Sequence, residues 1–156
     1  RYSMNQIFWG AIPGSIGETC KPFIIFGALF LVFTKVASWR IMVGMLIGAS
    51  LTGMLFNAWD ITIYMDVPWY DHLILGSFLF AMAFMATDPV TASSTNKGKW
   101  YYGIFIGVLG MIIRVMNPAY PEGWMLAILF MNACAPLIDY FIVQSNIKKR
   151  VSNVQQ

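Results

Sequence analysis

The stretch IMVGMLIGASLTGMLFNAW, residues 41–59, runs nineteen residues without a charge. Wound as a helix it is apolar around its whole circumference, so it has no polar face to offer water. A helix needs about 20 predominantly apolar residues to cross the hydrocarbon of a bilayer. This segment therefore reads as a membrane span. The composition agrees: 58% of residues are hydrophobic and 11% are charged, with a mean hydropathy of +0.65. A soluble domain carries about 25% charged residues. The chain lacks the side chains to coat a water-facing surface, and an integral membrane protein is the class expected.

Four further apolar runs flank this one. Residues 23–36 form the first, starting nearer Cys20, and residues 72–87 the third. Residues 100–116 are interrupted only by Arg114, and residues 123–143 only by Asp139. The expected fold is all-α, with about five transmembrane helices in residues 20–147. A broken, re-entrant or interfacial segment precedes them in residues 1–19, and a basic tail follows in residues 148–156. The six tryptophans, Trp9, Trp39, Trp59, Trp69, Trp100 and Trp124, all lie at the ends of runs or just outside them. Indole prefers the membrane interface, where its ring is half buried and its N–H stays wet.

Lys35 and Arg40, Lys97 and Lys99, and Lys148, Lys149 and Arg150 fall in connections that share one side if all five runs span. The other side holds Asp60, Asp66, Asp71 and Glu122, with Arg1 and Lys21 as its basic loop residues. The positive-inside rule then places the tail in the cytoplasm and the start of the chain outside. Arg1 is no initiator methionine and no signal peptide follows it, so the expectation is a piece of a longer chain. An odd number of spans fits the second half of an inverted repeat, a common transporter architecture. Cys20 and Cys134 are too few for a zinc or iron–sulfur site and read as small apolar packing residues.

Three places break the apolar pattern. In GAIPGSIGET, residues 10–19, Pro13, Gly14 and Gly17 are poor in a helix interior while Ile12 and Ile16 are apolar enough to enter lipid. The segment is either a re-entrant half-helix shielded by protein, with Glu18 beside the break, or an interfacial loop with an exposed Glu18. In MATDPVTASS, residues 85–94, Pro89 disfavours helix at Asp88, so the third span ends there. Asp88 either serves a site or caps a solvated turn. In NACAPLIDY, residues 132–140, Asn132, Pro136 and Asp139 are spaced i, i+4, i+7 on one helix face. Asp139 is either an intramembrane functional acid or one that reaches the headgroups.

Depth decides which charges meet. A helix rises about 1.5 Å per residue. Asp139 stands 16 residues past Gly123, and Asp88 stands 16 past His72, so both approach the cytoplasmic end. Arg114 stands 14 residues past Trp100, toward the outer end, nearer Glu18 or Glu122. Carboxylates, carbonyls and an Asn oxygen are hard ligands for a small cation. Asp88 and Asp139 are expected to help form a cytoplasmic cation entry or coupling site.

PGSIGET, FMATDPVTAS, IRVMNPAYPEG and NACAPLIDY, in this order, resemble the family of B subunits of the Na+-translocating NADH:quinone reductases over nearly the whole chain. The D subunits of Rnf electron-transport complexes are similar in the PGSIGE and ATDP motifs. The resemblance implies a multi-pass subunit of a bacterial inner-membrane complex that passes electrons from NADH through flavins to quinone and moves Na+ outward. It implies a fold similar to urea transporters, with the N-terminal half of the same subunit, other membrane and peripheral subunits, and the lipid bilayer as partners. No nucleic acid is expected. FMN and riboflavin are implied for the intact subunit or complex. The family's FMN sits on a threonine of a Ser-Gly-Ala-Thr motif, which this sequence lacks; Thr91, in VTASS, is not a match. That threonine is expected upstream of Arg1. The resemblance also carries over Asp88 and Asp139, and more weakly Glu18, as a sodium path. No Gly-rich dinucleotide loop follows a strand, so NADH chemistry is not expected in this chain. The alternatives are an Rnf D-type subunit, a urea-transporter-like solute channel, or a scaffold within a complex.

Overall fold

In the computed structural model the chain is described over residues 4–11, 17–59, 68–74, 76–117 and 123–154, and every described element is helical. Helices α3 (Trp39–Trp59) and α6 (Asn96–Met116) each have 21 residues, and α7 (Gly123–Val154) has 32. These three are long and apolar enough to cross a membrane. The multi-pass membrane character expected from residues 41–59 therefore holds.

Two of the five expected spans are shorter or broken. Helix α2 (Lys21–Phe33) has 13 residues, starting after Cys20 with a proline in its first turn. It ends where Lys35 turns left-handed at φ 59°, so that the Val36 N–H reaches back to the Leu31 carbonyl at 3.1 Å. This is the geometry of a helix C-terminus that glycine usually provides. The run 72–87 is interrupted more deeply. Helix α4 (Trp69–Ile74) stops before Gly76, whose φ of +84° no L side chain adopts easily. The chain resumes as α5 (Phe78–Phe80) and widens into a π-helix over Ala81–Met85. A short α1 (Met4–Trp9) lies at the start. Apolar composition alone does not distinguish a continuous span from two short helices joined at a glycine.

Small residues set the packing of the long helices. Gly44 and Gly48 of α3 face Gly103 and Gly107 of α6, each pair spaced i, i+4. A Cβ on Gly44 would lie 3.1 Å from the Trp100 carbonyl, and one on Gly48 would meet the Ile104 carbonyl. Lipid tails are as apolar as leucine, so helices in a bilayer associate by close packing, and small residues spaced four apart allow it. Gly103 meets Ile41, Gly107 meets Met45 and Ala49, and Gly53 meets Met111, so α3 and α6 run parallel. Helix α7 returns antiparallel: Gly123 meets Ile113, Gly110 meets Trp124, and the Tyr102 hydroxyl donates to Asn132.

This arrangement gathers the starts of α3 and α6 and the later part of α7 at one end. There Trp39 and Trp100 meet edge to face at 5.7 Å, Arg40 lies over Trp39, and Arg40 donates to Asn96. Not every tryptophan marks an interface. Trp124 is fully buried against Phe78, 4.7 Å between ring centroids, with its N–H unpartnered among the described residues. It fills the space above Gly110. Pro136 does not break α7, which continues through it with the proline exposed. Both cysteines are free, partly buried thiols.

Candidate functional site

The π-turn delivers the chain into a loop that crosses the basic end of the bundle. The Thr87 hydroxyl donates back to the Ala83 carbonyl at 2.7 Å, taking up an acceptor left near the helix end. Pro89 then stops the helix, as its missing N–H requires. Asp88 turns its carboxylate onto the loop that follows. It accepts from the Thr91 hydroxyl at 2.7 Å, from the Thr91 N–H at 3.2 Å and from the Val90 N–H at 3.4 Å. The Thr91 hydroxyl bond holds the Asp88 carboxyl below the usual carboxylate range, and the two backbone N–H groups act in the same direction.

Asp139 holds the far end of the same loop. Its Oδ1 accepts from the Ser93 hydroxyl and the Thr95 hydroxyl, each at 2.6 Å, and from the Thr95 N–H at 3.2 Å. Its Oδ2 accepts from the Ser94 N–H at 2.8 Å and the Ser94 hydroxyl at 3.2 Å. Thr95 also caps α6 by accepting from the Gly98 N–H. Gly98 is required there, since a Cβ would lie 2.7 Å from Asp139 Oδ1. One carboxylate from α7 thus fixes the entry to α6.

Between the loop and the end of α2 lies a cleft of about 260 Å³. Its polar and charged lining is Ser38, Thr87, Asp88, Ser93 and Ser94, together with Lys35 and Lys99. The two aspartates singled out in the sequence do come to one end and to one loop. Asp88 lines the cleft, and Asp139 stands behind Ser93 and Ser94. Among the described residues no group of three or more His, Cys, Asp or Glu gathers to hold a metal.

Glu18 lies at the opposite end. Lys21 is not the loop residue expected: it opens α2 and is 2% exposed. Its ammonium donates to the Glu18 carbonyl at 2.7 Å and to the Gly76 carbonyl at 3.3 Å. It thereby joins the chain before α2 to the break after α4. The Arg114 guanidinium lies beside Gly76, with Nη1 buried and unpartnered among the described residues. Arg114 is near the end of α6 opposite to Asp88 and Asp139, the relative depth that residue counting gives it. Pro13, Gly14, Asp60, Asp66 and Glu122 lie outside the described residues. The partners that residue-type reasoning missed are Lys21, Ser93, Ser94 and Thr95.

A model of the family described as "NQR2, RnfD, RnfE family" matches residues 1–148. The chain belongs to that family. The B subunit of the Na(+)-translocating NADH-quinone reductase of Klebsiella pneumoniae strain 342 is 57% identical over 152 residues, 96% of this chain and 37% of that protein. The corresponding Yersinia pestis protein is 58% identical over 145 residues, 92% of this chain and 35% of that protein. The Pseudoalteromonas atlantica protein of the same name is 49% identical over 159 residues, covering 98% and 40%. The chain therefore spans a little over a third of the length of these relatives. Within the NQR2, RnfD, RnfE family it sides with the NADH-quinone reductase subunits by these identities.

Proposed function

We propose that residues 1–156 form part of the membrane domain of a redox-driven sodium pump, in which oxidation of NADH by a quinone is coupled to outward movement of Na+. The observation that carries the reading is 57% identity over 96% of the chain to a named subunit of such a reductase. Site geometry supports it: a polar cleft with an ionised carboxylate stands at one end of three long apolar helices. The Rnf D-type reading has support at the level of the family model alone.

In this proposal the basic end faces the cytoplasm of a cell bounded by a bacterial inner membrane, following the positive-inside rule. Asp88 receives Na+ at the cleft. The cation competes with Thr91 and Val90 for the carboxylate oxygens, so occupancy and loop conformation are linked. Asp139 holds the other end of the loop to α7 and passes that change into the bundle. Glu18, beside Lys21 at the far end, belongs to the outward part of the path. FMN, riboflavin and quinone bind in the intact subunit or complex, beyond what these residues supply. A urea-transporter-like inverted repeat is part of the proposal, supported by the short and broken helices α2, α4 and α5. Electrons arriving on a flavin add charge in a low-dielectric region, where it interacts strongly with a nearby cation.

The test is Asp88→Asn in the intact complex, with NADH:quinone activity measured against Na+ concentration and Na+ uptake measured in inverted vesicles. The expected result is half-maximal activity at a higher Na+ concentration with the complex still assembled. An unchanged Na+ response would remove Asp88 from the path.

A further inference from the structure

Helices α3 and α6 run parallel, so both begin at the same end of the bundle, and both begin with cations beside a tryptophan. Trp39 and Arg40 open α3, and Lys97, Lys99 and Trp100 lie in the first turns of α6. The Trp39 and Trp100 rings meet edge to face, and indoles at the ends of apolar helices sit at the depth of the lipid headgroups. Arg40 lies over Trp39 and donates at 3.0 Å to Asn96, the residue next to Lys97. The rest of its guanidinium fork has no protein partner among the described residues, and neither has the Lys97 ammonium. Asp88 and Asp139, the carboxylates described at this end, are taken up by hydroxyl and amide donors of the loop before α6.

Below each cation runs an exposed stripe. Arg40, Ile47 and Leu51 share one face of α3 at i, i+7 and i+11, and Lys97, Tyr101 and Phe105 share one face of α6 at i, i+4 and i+8. Ile47, Leu51, Tyr101 and Phe105 are 40% to 56% exposed. At about 100° per residue, Arg40 is turned about 80° from Gly48 in one sense and Lys97 about 80° from Gly107 in the other. Gly48 and Gly107 face each other across parallel helices, so the two stripes flank the seam on the same side. Leu51 stands about 16 Å below Arg40 and Phe105 about 12 Å below Lys97, close to half of a hydrocarbon core of about 30 Å.

We propose that this face of α3 and α6 binds an anionic phospholipid, its phosphodiester between Arg40 and Lys97 and its acyl chains along the two stripes. An acidic protein segment arriving from water would meet the cations and leave the stripes bare. An apolar helix would cover the stripes and leave the cations unpaired. An anionic phospholipid answers both with one molecule. Arg40 offers a planar fork to phosphate oxygens and Lys97 a mobile point charge. A zwitterionic lipid brings its own ammonium, which cancels the charge that these two residues select. Basic pockets between spans are headgroup sites of this kind. Such a site needs only the bilayer, whatever ion the complex moves.

The experiment reconstitutes the intact complex in nanodiscs of phosphatidylethanolamine with a small fraction of phosphatidylglycerol. A trace of one lipid or the other carries a diazirine on its acyl chain. After irradiation, labelled peptides are identified by mass spectrometry. The expected result is labelling of residues 41–51 and 101–105 by the phosphatidylglycerol probe in excess over the phosphatidylethanolamine probe. Each charge removed weakens headgroup binding about fivefold, so the double variant Arg40→Gln, Lys97→Gln binds phosphatidylglycerol about 30-fold more weakly. That variant should bring the two probes level, while Arg40→Lys, Lys97→Arg keeps the excess. Equal labelling by the two probes in the unaltered complex, labelling by neither, or an excess that survives the double glutamine change would each overturn the proposal. A second measurement covers a glutamine variant that does not assemble. The excess in the unaltered complex is followed from low to high salt: a charge-held headgroup loses it, and an excess that salt leaves unchanged overturns the proposal.

Discussion

Replacing Asp139 by asparagine tests whether this acid clamps the loop that forms the cleft. The side chain keeps its shape, but one acceptor oxygen becomes an NH2 group. Three of the five hydrogen bonds end on Oδ1 and two on Oδ2. The amide does best with its oxygen at the Oδ1 position, keeping Ser93 and Thr95. Its NH2 then points at the Ser94 N–H, donor against donor. The Ser94 hydroxyl can rotate and accept; the N–H cannot. The loss is one N–H bond to a charged acceptor, worth about 1.5–3 kcal/mol, with weakening of the bonds that remain. Solvent reaches this end of α7 and recovers part of it. A net destabilisation of about 2 kcal/mol follows for Asp139→Asn, and about 4 kcal/mol for Asp139→Ala, which removes all five. The assay is thermal unfolding of the purified intact subunit, together with hydrogen exchange at the Ser94 and Thr95 amides. Ser93→Ala should cost about 1 kcal/mol and should be non-additive with Asp139→Asn, because the two share one network. An Asp139→Asn protein with unchanged unfolding and unchanged amide protection would refute the clamp.

Gly48→Ala and Gly107→Ala each drive a Cβ into facing backbone of the α3–α6 contact; destabilisation of about 1–3 kcal/mol is expected in unfolding by mild denaturing detergent. Lys35→Gly relieves a left-handed backbone and should raise stability by about 1 kcal/mol in the same assay, since the α2 terminus is otherwise already formed. Lys21→Met leaves the Glu18 and Gly76 carbonyls without their ammonium donor; a loss of about 1–3 kcal/mol should appear as faster hydrogen exchange around both breaks. The folded Asp88 carboxyl titrates below the ordinary value of 3.8. A depressed acid contributes its stabilisation fully above the unfolded value and loses it as pH falls through the folded one. Protection of the Val90 and Thr91 amides should therefore hold down to the ordinary aspartate range and fall below it.

Residues 41–59 are enough to read α3 because nineteen uncharged residues leave a helix no other solvent. Counting residues along the runs brings Asp88 and Asp139 to one end, by the fixed rise of a continuous helix for Asp139 and in spite of the break before the π-helix for Asp88. The run at 72–87 reads as one span and is broken at Gly76. Gly76-Ser77 carries the signal, but one glycine in an apolar run is also tolerated within a continuous helix, and what holds this break is Lys21, 55 residues away. The Gly44–Gly48 and Gly103–Gly107 spacings are legible as a packing motif, and they pair two helices that sequence order alone does not pair. The donors on Asp139 are not legible. Ser93, Ser94 and Thr95 read as an ordinary polar loop, and their partner stands 44–46 residues along the chain. Lys21 and Trp124 mislead for one reason: a residue at the end of an apolar run looks interfacial until a neighbouring helix covers it.

A transported ion must leave its site as readily as it enters, and this sets a requirement on the proposed cleft. A carboxylate held ionised in an empty, dry pocket would bind a cation too tightly to release it. Asp88 is already satisfied by Thr91 and Val90, and it lines a cleft that Lys35 and Lys99 also line. Each Na+ that takes an Asp88 oxygen has to displace a hydrogen bond and sit near the ammonium groups of Lys35 and Lys99. Both effects lower affinity and hasten exchange, as conduction requires. Lys35 and Lys99 then become tuning residues rather than ligands. Lys99→Gln should lower the Na+ concentration for half-maximal activity by removing one repelling charge, the opposite direction to Asp88→Asn. Two carboxamide substitutions lining one cleft and moving Na+ dependence in opposite directions would be hard to ascribe to damaged folding. A Lys99→Gln complex whose Na+ dependence moves upward with that of Asp88→Asn would show that the cleft acts on the pump through assembly, with no cation in it.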